Sequence, residues 1–134
     1  MKLGKGKAGP PNTRVLIIED EAPLREAFAM LMAHEGFEVA VAENGRVGLE
    51  KVGTFAPDVV LLDLLMPVMS GMEFLKATTT RRRSKPRYKT LVLSNLSDPM
   101  TREDIKSFRV AGVAMKADLS PAELVTLVKS LVDS

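Results

Sequence analysis

Short apolar runs, each ending at a polar or charged residue, alternate with amphipathic stretches along most of this chain. The runs end at Glu19 and Asp20, at Asp63, at Ser94 and at Lys116. This alternation is typical of a parallel sheet with helices on both faces. The carboxyl ends of parallel strands lie along one edge of the sheet, where ligand sites form. We therefore expect three acids, a hydroxyl and an ammonium to share one cleft.

Five strand–helix units are predicted, which makes the fold a doubly wound α/β domain. The strands are expected at residues 15–18, 37–42 and 58–63, then up to residue 93, and at 113–115. The helices are expected at residues 23–36, 44–55 and 72–79, with a fourth opening at 98 and a fifth at 121. The strand over residues 58–63 is the most apolar, and such a run requires burial on both faces. It is predicted to be central.

Local signals mark the start of two of these helices. Ser70 with Glu73, and Ser120 with Glu123, have the spacing of capping boxes. Apolar residues at helical spacing then predict that the last helix docks on the sheet: Leu124, Leu127, Val128 and Leu131.

The composition favours one soluble domain in a reducing compartment. The chain has 134 residues, 46% of them hydrophobic, which suffices for one core. The absence of cysteine is compatible with the cytoplasm. Residues 1–13 contain no apolar stretch that would make a secretory signal, and are predicted to form a flexible basic tail. No apolar run approaches membrane-spanning length, so no membrane insertion is expected.

Two basic segments conceal an acidic body. Residues 1–13 hold three basic groups and residues 81–89 hold six, which leaves ten basic against seventeen acidic residues elsewhere, a net charge of −7. A helix-to-strand loop over residues 81–89 lies at the opposite end of the sheet from Asp63 and cannot hold a ligand there. A solvated loop is favoured over a docking site in which Tyr88 is available for stacking.

The three acids predict cation and phosphoryl chemistry. Glu19, Asp20 and Asp63 repel one another at one sheet edge, so their pKa values rise or they hold a cation. Carboxylates, a carbonyl and waters beside a phosphate suit Mg²⁺. Asp63 is the best placed nucleophile toward phosphorus. Lys116 is then expected to neutralise charge on the phosphoryl oxygens, and Ser94 to donate a hydrogen bond to one of them.

Residues 63–71, with the sequence DLLMPVMSG, resemble the phosphoacceptor motif of response-regulator receiver domains. The acidic pair, Ser94 and Lys116 follow in the order of that family: Asp63 lies 43 residues after Asp20, Ser94 lies 31 after Asp63, and Lys116 lies 22 after Ser94. The resemblance rests on several separated positions rather than one local pattern.

The resemblance implies a flavodoxin-like (βα)5 three-layer sandwich with the strand order 2-1-3-4-5, over a receiver domain at residues 14–134. It also implies that Asp63 accepts a phosphoryl group from a histidine kinase or a phosphotransfer protein. Asp20, Asp63 and the backbone carbonyl of Leu65 would bind Mg²⁺, with Glu19 assisting through water. The chain would then be a phosphoacceptor that assists its own phosphotransfer and dephosphorylation, not an enzyme.

A switch follows from the same resemblance. Ser94 would move toward the phosphate and Lys116 would pair with it, which repositions a partner surface on the fourth helix, fifth strand and fifth helix. Val113 stands where many relatives have an aromatic residue, and Ala117 where the family has a proline, often after a cis peptide bond. The aromatic part of the family's switch is therefore absent from this chain.

Other interpretations remain. A receiver-like scaffold that is independent of phosphorylation would bind nucleic acid or an acidic partner through residues 81–89, although nucleic acid is not expected as a partner of a phosphoaccepting switch. A hydrolase with an aspartyl-phosphate intermediate usually has a second aspartate where Leu65 stands. We expect a stand-alone receiver or phosphorelay intermediate, or a receiver cut from a longer protein. The sequence does not identify the donor kinase or the downstream target, and a homodimer is left open.

Overall fold

Five parallel strands form one sheet in the computed structural model, which describes residues 13–80, 88–94, 108 and 110–133. They are β1 (Arg14–Ile18), β2 (Glu38–Ala42), β3 (Val59–Asp63), β4 (Lys89–Ser94) and β5 (Gly112–Met115). Their order is β2-β1-β3-β4-β5, and every neighbouring pair is parallel. The predicted doubly wound topology is confirmed.

Four helices lie within the described ranges. They are α1 (Ala22–His34), α2 (Gly45–Phe55), α3 (Gly71–Thr80) and α4 (Pro121–Asp133). The helix α4 is the one predicted as the fifth, because the helix predicted to open at residue 98 lies outside the described residues, as do residues 81–87 of the basic segment. None of the described helices is both long and apolar enough to cross a bilayer.

The side chains of β1 alternate between two apolar layers. Val15 and Ile17 pack in a layer to which α1 and α4 contribute. Leu16 and Ile18 pack in a second layer, to which α2 and α3 contribute. All residues of β3 are buried, as a strand with neighbours on both edges and helices on both faces requires. The prediction that this strand is central is confirmed.

Both predicted capping boxes are present. The Ser70 N–H donates to Glu73 Oε1 over 2.9 Å, and the Glu73 N–H donates to Ser70 Oγ over 3.1 Å. Ser120 and Glu123 make the same reciprocal pair at 2.8 and 3.1 Å. These bonds satisfy N–H groups that a helix start leaves without partners. They fix where α3 and α4 begin relative to the strands before them.

The start of β4 shows where the basic segment joins the sheet. Lys89 pairs in register with Val59, the first residue of β3, whereas Asp63 is the last. The Lys89 ammonium donates to the carbonyl of Leu131 in α4 over 3.0 Å. Tyr88 is only 6% exposed and packs in the layer beside α2 and α3. The less favoured alternative, a docking site in which Tyr88 is available for stacking, is therefore contradicted, because the ring fills the core at this end of the sheet.

Candidate functional site

Three carboxylates meet at the carboxyl edge of the sheet. Asp63 is the last residue of β3, and Glu19 and Asp20 directly follow β1, which pairs with β3. One carboxylate oxygen from each residue lies within 4.8 Å of the other two. The strand order thus brings together the three acids that the sequence predicts as ligands of a cation.

A lysine supplies a positive charge to this buried cluster. Glu19 and Asp63 are 1% and 2% exposed, and an isolated buried carboxylate is costly. Lys116 Nζ lies 2.9 Å from Glu19 Oε1 and 3.4 Å from Asp63 Oδ1. Because β4 separates β3 from β5, the long side chain crosses the end of β4 to reach both acids. Lys116 and Asp63, which were predicted to share one cleft, thus lie within 3.4 Å of each other.

Burial and charge shift the pKa values of the cluster. Burial and, to a smaller extent, the Glu19 carboxylate together raise the pKa of Asp63 to about 7, although Lys116 acts in the opposite direction. Burial alone would lower the pKa of Lys116, but its interactions with Glu19 and then Asp63 outweigh burial, so this pKa is raised. Near neutral pH, Asp63 is thus poised between its two protonation states beside a charged ammonium.

The donor set fits a divalent cation. Glu19 Oε1 and Asp63 Oδ1 are buried and accept no hydrogen bond of good geometry from the described residues, although Lys116 Nζ lies near both. Such oxygens are costly to leave unsatisfied. Asp20 is partly exposed, which leaves room for water. Several carboxylate oxygens together with water are the ligands that Mg²⁺ prefers.

Ser94 and Leu65 border the same edge. Ser94 is the last residue of β4, it is 7% exposed, and it follows Leu93, which pairs with Asp63 in register. Leu65 lies two residues after Asp63 in the loop before α3, with its side chain 45% exposed. The structure therefore places all the predicted site residues at one end of the sheet.

The loop after Asp63 folds back onto the end of β3. The Gly71 N–H donates to the Leu64 carbonyl over 2.9 Å. A Cβ on Gly71 would collide with the Asp63 carbonyl oxygen and lie 2.8 Å from Leu64 Cα. Because only glycine permits this approach, Gly71 helps to fix the backbone that carries Asp63. Its role was not predicted, although its place eight residues after Asp63, at the start of a helix, was visible in the sequence.

The chain matches the family described as the response regulator receiver domain over residues 15–129. It belongs to this family. The receiver domain is 33% identical over 120 residues to the alkaline phosphatase synthesis transcriptional regulatory protein SphR of Synechococcus elongatus, which covers 83% of this chain and 43% of that protein. The chain spans about half the length, or less, of the curated relatives it matches.

Solved structures show the same fold. The chemotaxis protein CheY4 of Vibrio cholerae has a TM-score of 0.79 and 28% identity, over 90% of the receiver domain and 98% of that chain. The response regulator TrrA of Thermotoga maritima, in complex with Mg²⁺–BeF, has a TM-score of 0.74 and 29% identity, over 89% of the receiver domain and 98% of that chain. The predicted family and flavodoxin-like topology are confirmed.

The two departures from the family pattern occupy defined places in this receiver domain. Val113 in β5 is partly buried against the layer beside α2 and α3. Ala117 lies in a 3-10 turn over Lys116–Asp118, closed by the Leu119 N–H donating to the Lys116 carbonyl over 3.3 Å, without a cis peptide bond. This turn connects the site lysine directly to the segment that leads into α4.

Arg25 is a residue of the receiver domain that the sequence predictions missed. Its Nη1 donates to the carbonyl of Glu19 over 2.9 Å and to that of Asp20 over 3.3 Å. The signal in the sequence was an arginine in the first turns of the helix that follows the acidic pair. That spacing allows the side chain to reach back over the helix start.

A strained turn lies in the loop after Asp63. Val68 has a φ of 67°, and the Met69 N–H donates to the Pro67 carbonyl over 2.7 Å. This bond closes a γ-turn, and the positive φ makes it the rarer, strained hand. A β-branched residue is poorly suited to that conformation. Val68 is 73% exposed, so little buried contact compensates for the strain.

Replacing Val68 with asparagine is expected to raise the free energy of unfolding by about 1 kcal/mol, because asparagine tolerates positive φ. Urea unfolding of the purified receiver domain measures this change. Val68→Thr is the control, since it keeps the branched Cβ and should bring no gain. An asparagine variant no more stable than the unmodified chain would show that the turn is not strained.

Proposed function

We propose that this receiver domain accepts a phosphoryl group on Asp63 from a histidine kinase or a phosphotransfer protein. The observation that supports the proposal is a buried Asp63 carboxylate 3.4 Å from the Lys116 ammonium. An oxygen of ionised Asp63 attacks phosphorus, and the bond to the donor breaks with its electron pair leaving on the donor. Lys116 is positioned to neutralise charge that develops on the phosphoryl oxygens.

Glu19, Asp20 and Asp63 would hold Mg²⁺, together with the backbone carbonyl of Leu65. The support is the buried oxygens of Glu19 and Asp63 that accept no hydrogen bond of good geometry within the described part of the chain, and the relative TrrA, solved in complex with Mg²⁺–BeF. When bound, Mg²⁺ supplies charge neutralisation for the phosphoryl oxygens. Lys116, 3.4 Å from Asp63, would supply a second positive charge for the same oxygens.

Phosphorylation would change what Lys116 binds. Lys116 now bridges Glu19 and Asp63, and a phosphoryl group on Asp63 would offer it a doubly charged partner. Ser94 would donate to a phosphoryl oxygen from the end of β4. Because Lys116 opens the turn between β5 and α4, its movement reaches the surface of those two elements. We assign the downstream partner to this surface, together with the predicted fourth helix.

The receiver domain would act as a cytoplasmic phosphoacceptor rather than as a hydrolase. Leu65 stands where a second carboxylate would activate a leaving group or a water, and its side chain cannot transfer a proton. Autophosphorylation and dephosphorylation would use the same Mg²⁺ and Lys116. Every side chain that this chemistry needs is retained, which argues against a scaffold that is independent of phosphorylation.

Intact-mass analysis after incubation with acetyl phosphate and Mg²⁺ tests the proposal. One phosphoryl addition is expected in the unmodified chain and none in Asp63→Asn. The matched control is Asp58→Asn, which changes an aspartate at the other end of the sheet that accepts the Arg14 N–H over 2.8 Å. It should be phosphorylated normally. Addition that persists in Asp63→Asn, or no addition under conditions that modify a known receiver, would refute the proposal.

A further inference from the structure

We propose that Arg25 is a positioning residue for the cation site. Its guanidinium holds the backbone of Glu19 and Asp20 and thereby sets where their carboxylates point. The inference rests on the proposed function, in which these acids hold Mg²⁺. Arg25 is distinct from the acidic cluster of Glu19, Asp20 and Asp63, and from Ser94 and Lys116.

The geometry places one donor group against two consecutive carbonyls. Nη1 of Arg25 carries two N–H groups, and it lies 2.9 Å from the Glu19 carbonyl oxygen and 3.3 Å from that of Asp20. Two carbonyl oxygens that point at the same place repel each other through their partial negative charges, and a positive group between them offsets this repulsion. The guanidinium therefore fixes the orientation of both peptide planes that carry the acids.

Arg25 is itself firmly held. It is the fourth residue of α1, and its backbone N–H donates to the Glu21 carbonyl over 2.8 Å, one of the first bonds of the helix. The side chain is half-buried and reaches back across the start of α1. Arg25 thus ties the loop after β1 to a rigid helix, as residues that orient metal ligands commonly do.

The remaining anchors hold Glu19 more than Asp20. The Glu19 N–H donates to the Ala42 carbonyl in β2 over 3.0 Å. The Glu21 N–H donates to Glu19 Oε2 over 3.2 Å. Asp20 is tied to the helix through its carbonyl and Arg25. Loss of the guanidinium should therefore disturb Asp20, the more exposed of the acids, more than Glu19.

Charge and position predict opposite effects on cation binding. Arg25 is positive, so through electrostatics alone its removal would strengthen the binding of Mg²⁺ to the acids. If Arg25 instead acts by fixing the two peptide planes, its removal weakens binding. The sign of the change in Mg²⁺ affinity distinguishes the two mechanisms without reference to phosphorylation.

The experiment is an NMR titration with Mg²⁺ that follows the backbone amide signals of Asp20 and Asp63. Arg25→Met keeps the aliphatic stem and removes the donors, and about tenfold weaker Mg²⁺ binding is expected, as for other residues that support metal ligands. Arg25→Lys keeps the charge with a less suitable donor geometry, and should weaken binding by a smaller factor.

Arg14→Met is the matched control. Arg14 also donates through Nη1 to a carbonyl, that of Phe55, over 2.8 Å, and it pairs with Glu38 at 2.8 Å. It lies at the start of β1, about 16 Å from the acids. This variant should lower the stability of the domain and leave Mg²⁺ affinity unchanged.

The outcomes separate this inference from the proposed function. Weaker Mg²⁺ binding in Arg25→Met, with Arg14→Met unchanged, supports the inference even if acetyl phosphate fails to modify the chain. Binding in Arg25→Met as tight as in the unmodified chain, or tighter, overturns it, as does equal weakening in Arg14→Met or no Mg²⁺ binding at all. If Arg25→Met does not fold, Arg25→Lys decides: weaker binding supports the inference, and unchanged binding overturns it.

Discussion

Replacing Lys116 with methionine is expected to lower the free energy of unfolding by about 3 kcal/mol at pH 8 without Mg²⁺. Methionine keeps most of the aliphatic stem and removes only the ammonium. The carboxyl groups of Glu19 and Asp63, which are 1% and 2% exposed, then lie in the core without the cation that now lies 2.9 and 3.4 Å away. Breaking one side of a buried ion pair is far more costly than losing a surface pair.

The deficit of Lys116→Met should depend on pH and on Mg²⁺. The folded-state pKa of Lys116 is raised, so its stabilising charge is fully present at pH 8 and is lost only as the pH rises through that raised value. Lys116 also holds the pKa of Asp63 down, so in the variant Asp63 protonates more readily as the pH falls. We expect the deficit to shrink toward pH 5, and millimolar Mg²⁺ to reduce it at pH 8.

Urea unfolding followed by circular dichroism measures this effect. The control is Lys129→Met, since Lys129 also forms an ion pair, with Glu35 at 2.9 Å, but the two side chains are 33% and 26% exposed. Its loss should cost less than about 1 kcal/mol. If the two variants lost equal stability, the Lys116 ammonium would not be what compensates the buried acids.

The positions of the site residues were predictable for two reasons. The end of each strand is marked by a local sequence pattern, and the topology places these ends along one edge of the sheet. In the structure the strands end at, or one residue before, the polar residues that end the apolar runs in the sequence: Asp63, Ser94 and Lys116. All five strands are parallel. Parallel strands place their carboxyl ends together whatever the details of packing. The capping boxes that begin at Ser70 and Ser120 were equally predictable, since each needs only residues three apart.

Contacts made by loops, and by the residues where a loop joins a helix or strand, could not be predicted from local sequence patterns. Whether Arg25 reaches two carbonyls depends on how the loop after β1 meets α1, and whether Gly71 approaches Asp63 depends on the path of the seven residues between them. The basic neighbours of Tyr88 left open a docking site in which its ring is available for stacking, but the burial of the ring is decided by residues of distant elements. Single-residue conformations such as the positive φ of Val68 likewise depend on the path of the whole loop.

Replacing Asp63 with asparagine is expected to raise the free energy of unfolding by about 2 kcal/mol at pH 8 without Mg²⁺, and to leave it nearly unchanged at about pH 4. The pKa of Asp63 is raised from 3.8 to about 7 in the folded state, chiefly by burial. Between these values the folded state keeps a proton that the unfolded state has lost. Stability therefore falls as the pH rises, by at most about 1.4 kcal/mol per pH unit, and the fall ends above pH 7.

Asparagine has no charge to bury, so its variant should show no such fall. The expected difference is set below the full linkage value because solvent at the partly exposed Asp20 side of the cluster screens the charge. Unfolding midpoints in urea at several pH values, with a chelator present, give the profile of each protein. Glu50→Gln, which removes the same charge from an exposed position on α2, should leave the profile of the unmodified chain intact.

Mg²⁺ should reverse the order of stability of the two proteins. If Mg²⁺ binds as proposed, it favours the folded state with an ionised Asp63, so the unmodified chain is expected to gain stability at pH 8 whereas Asp63→Asn gains less. Burial of the ionised Asp63 carboxylate lowers the stability of the folded state, so a cation that binds this carboxylate raises that stability. A phosphoryl group on Asp63 that binds Lys116 would change the stability in the same way. A parallel pH dependence in Asp63→Asn and the unmodified chain would show that the destabilising charge resides elsewhere.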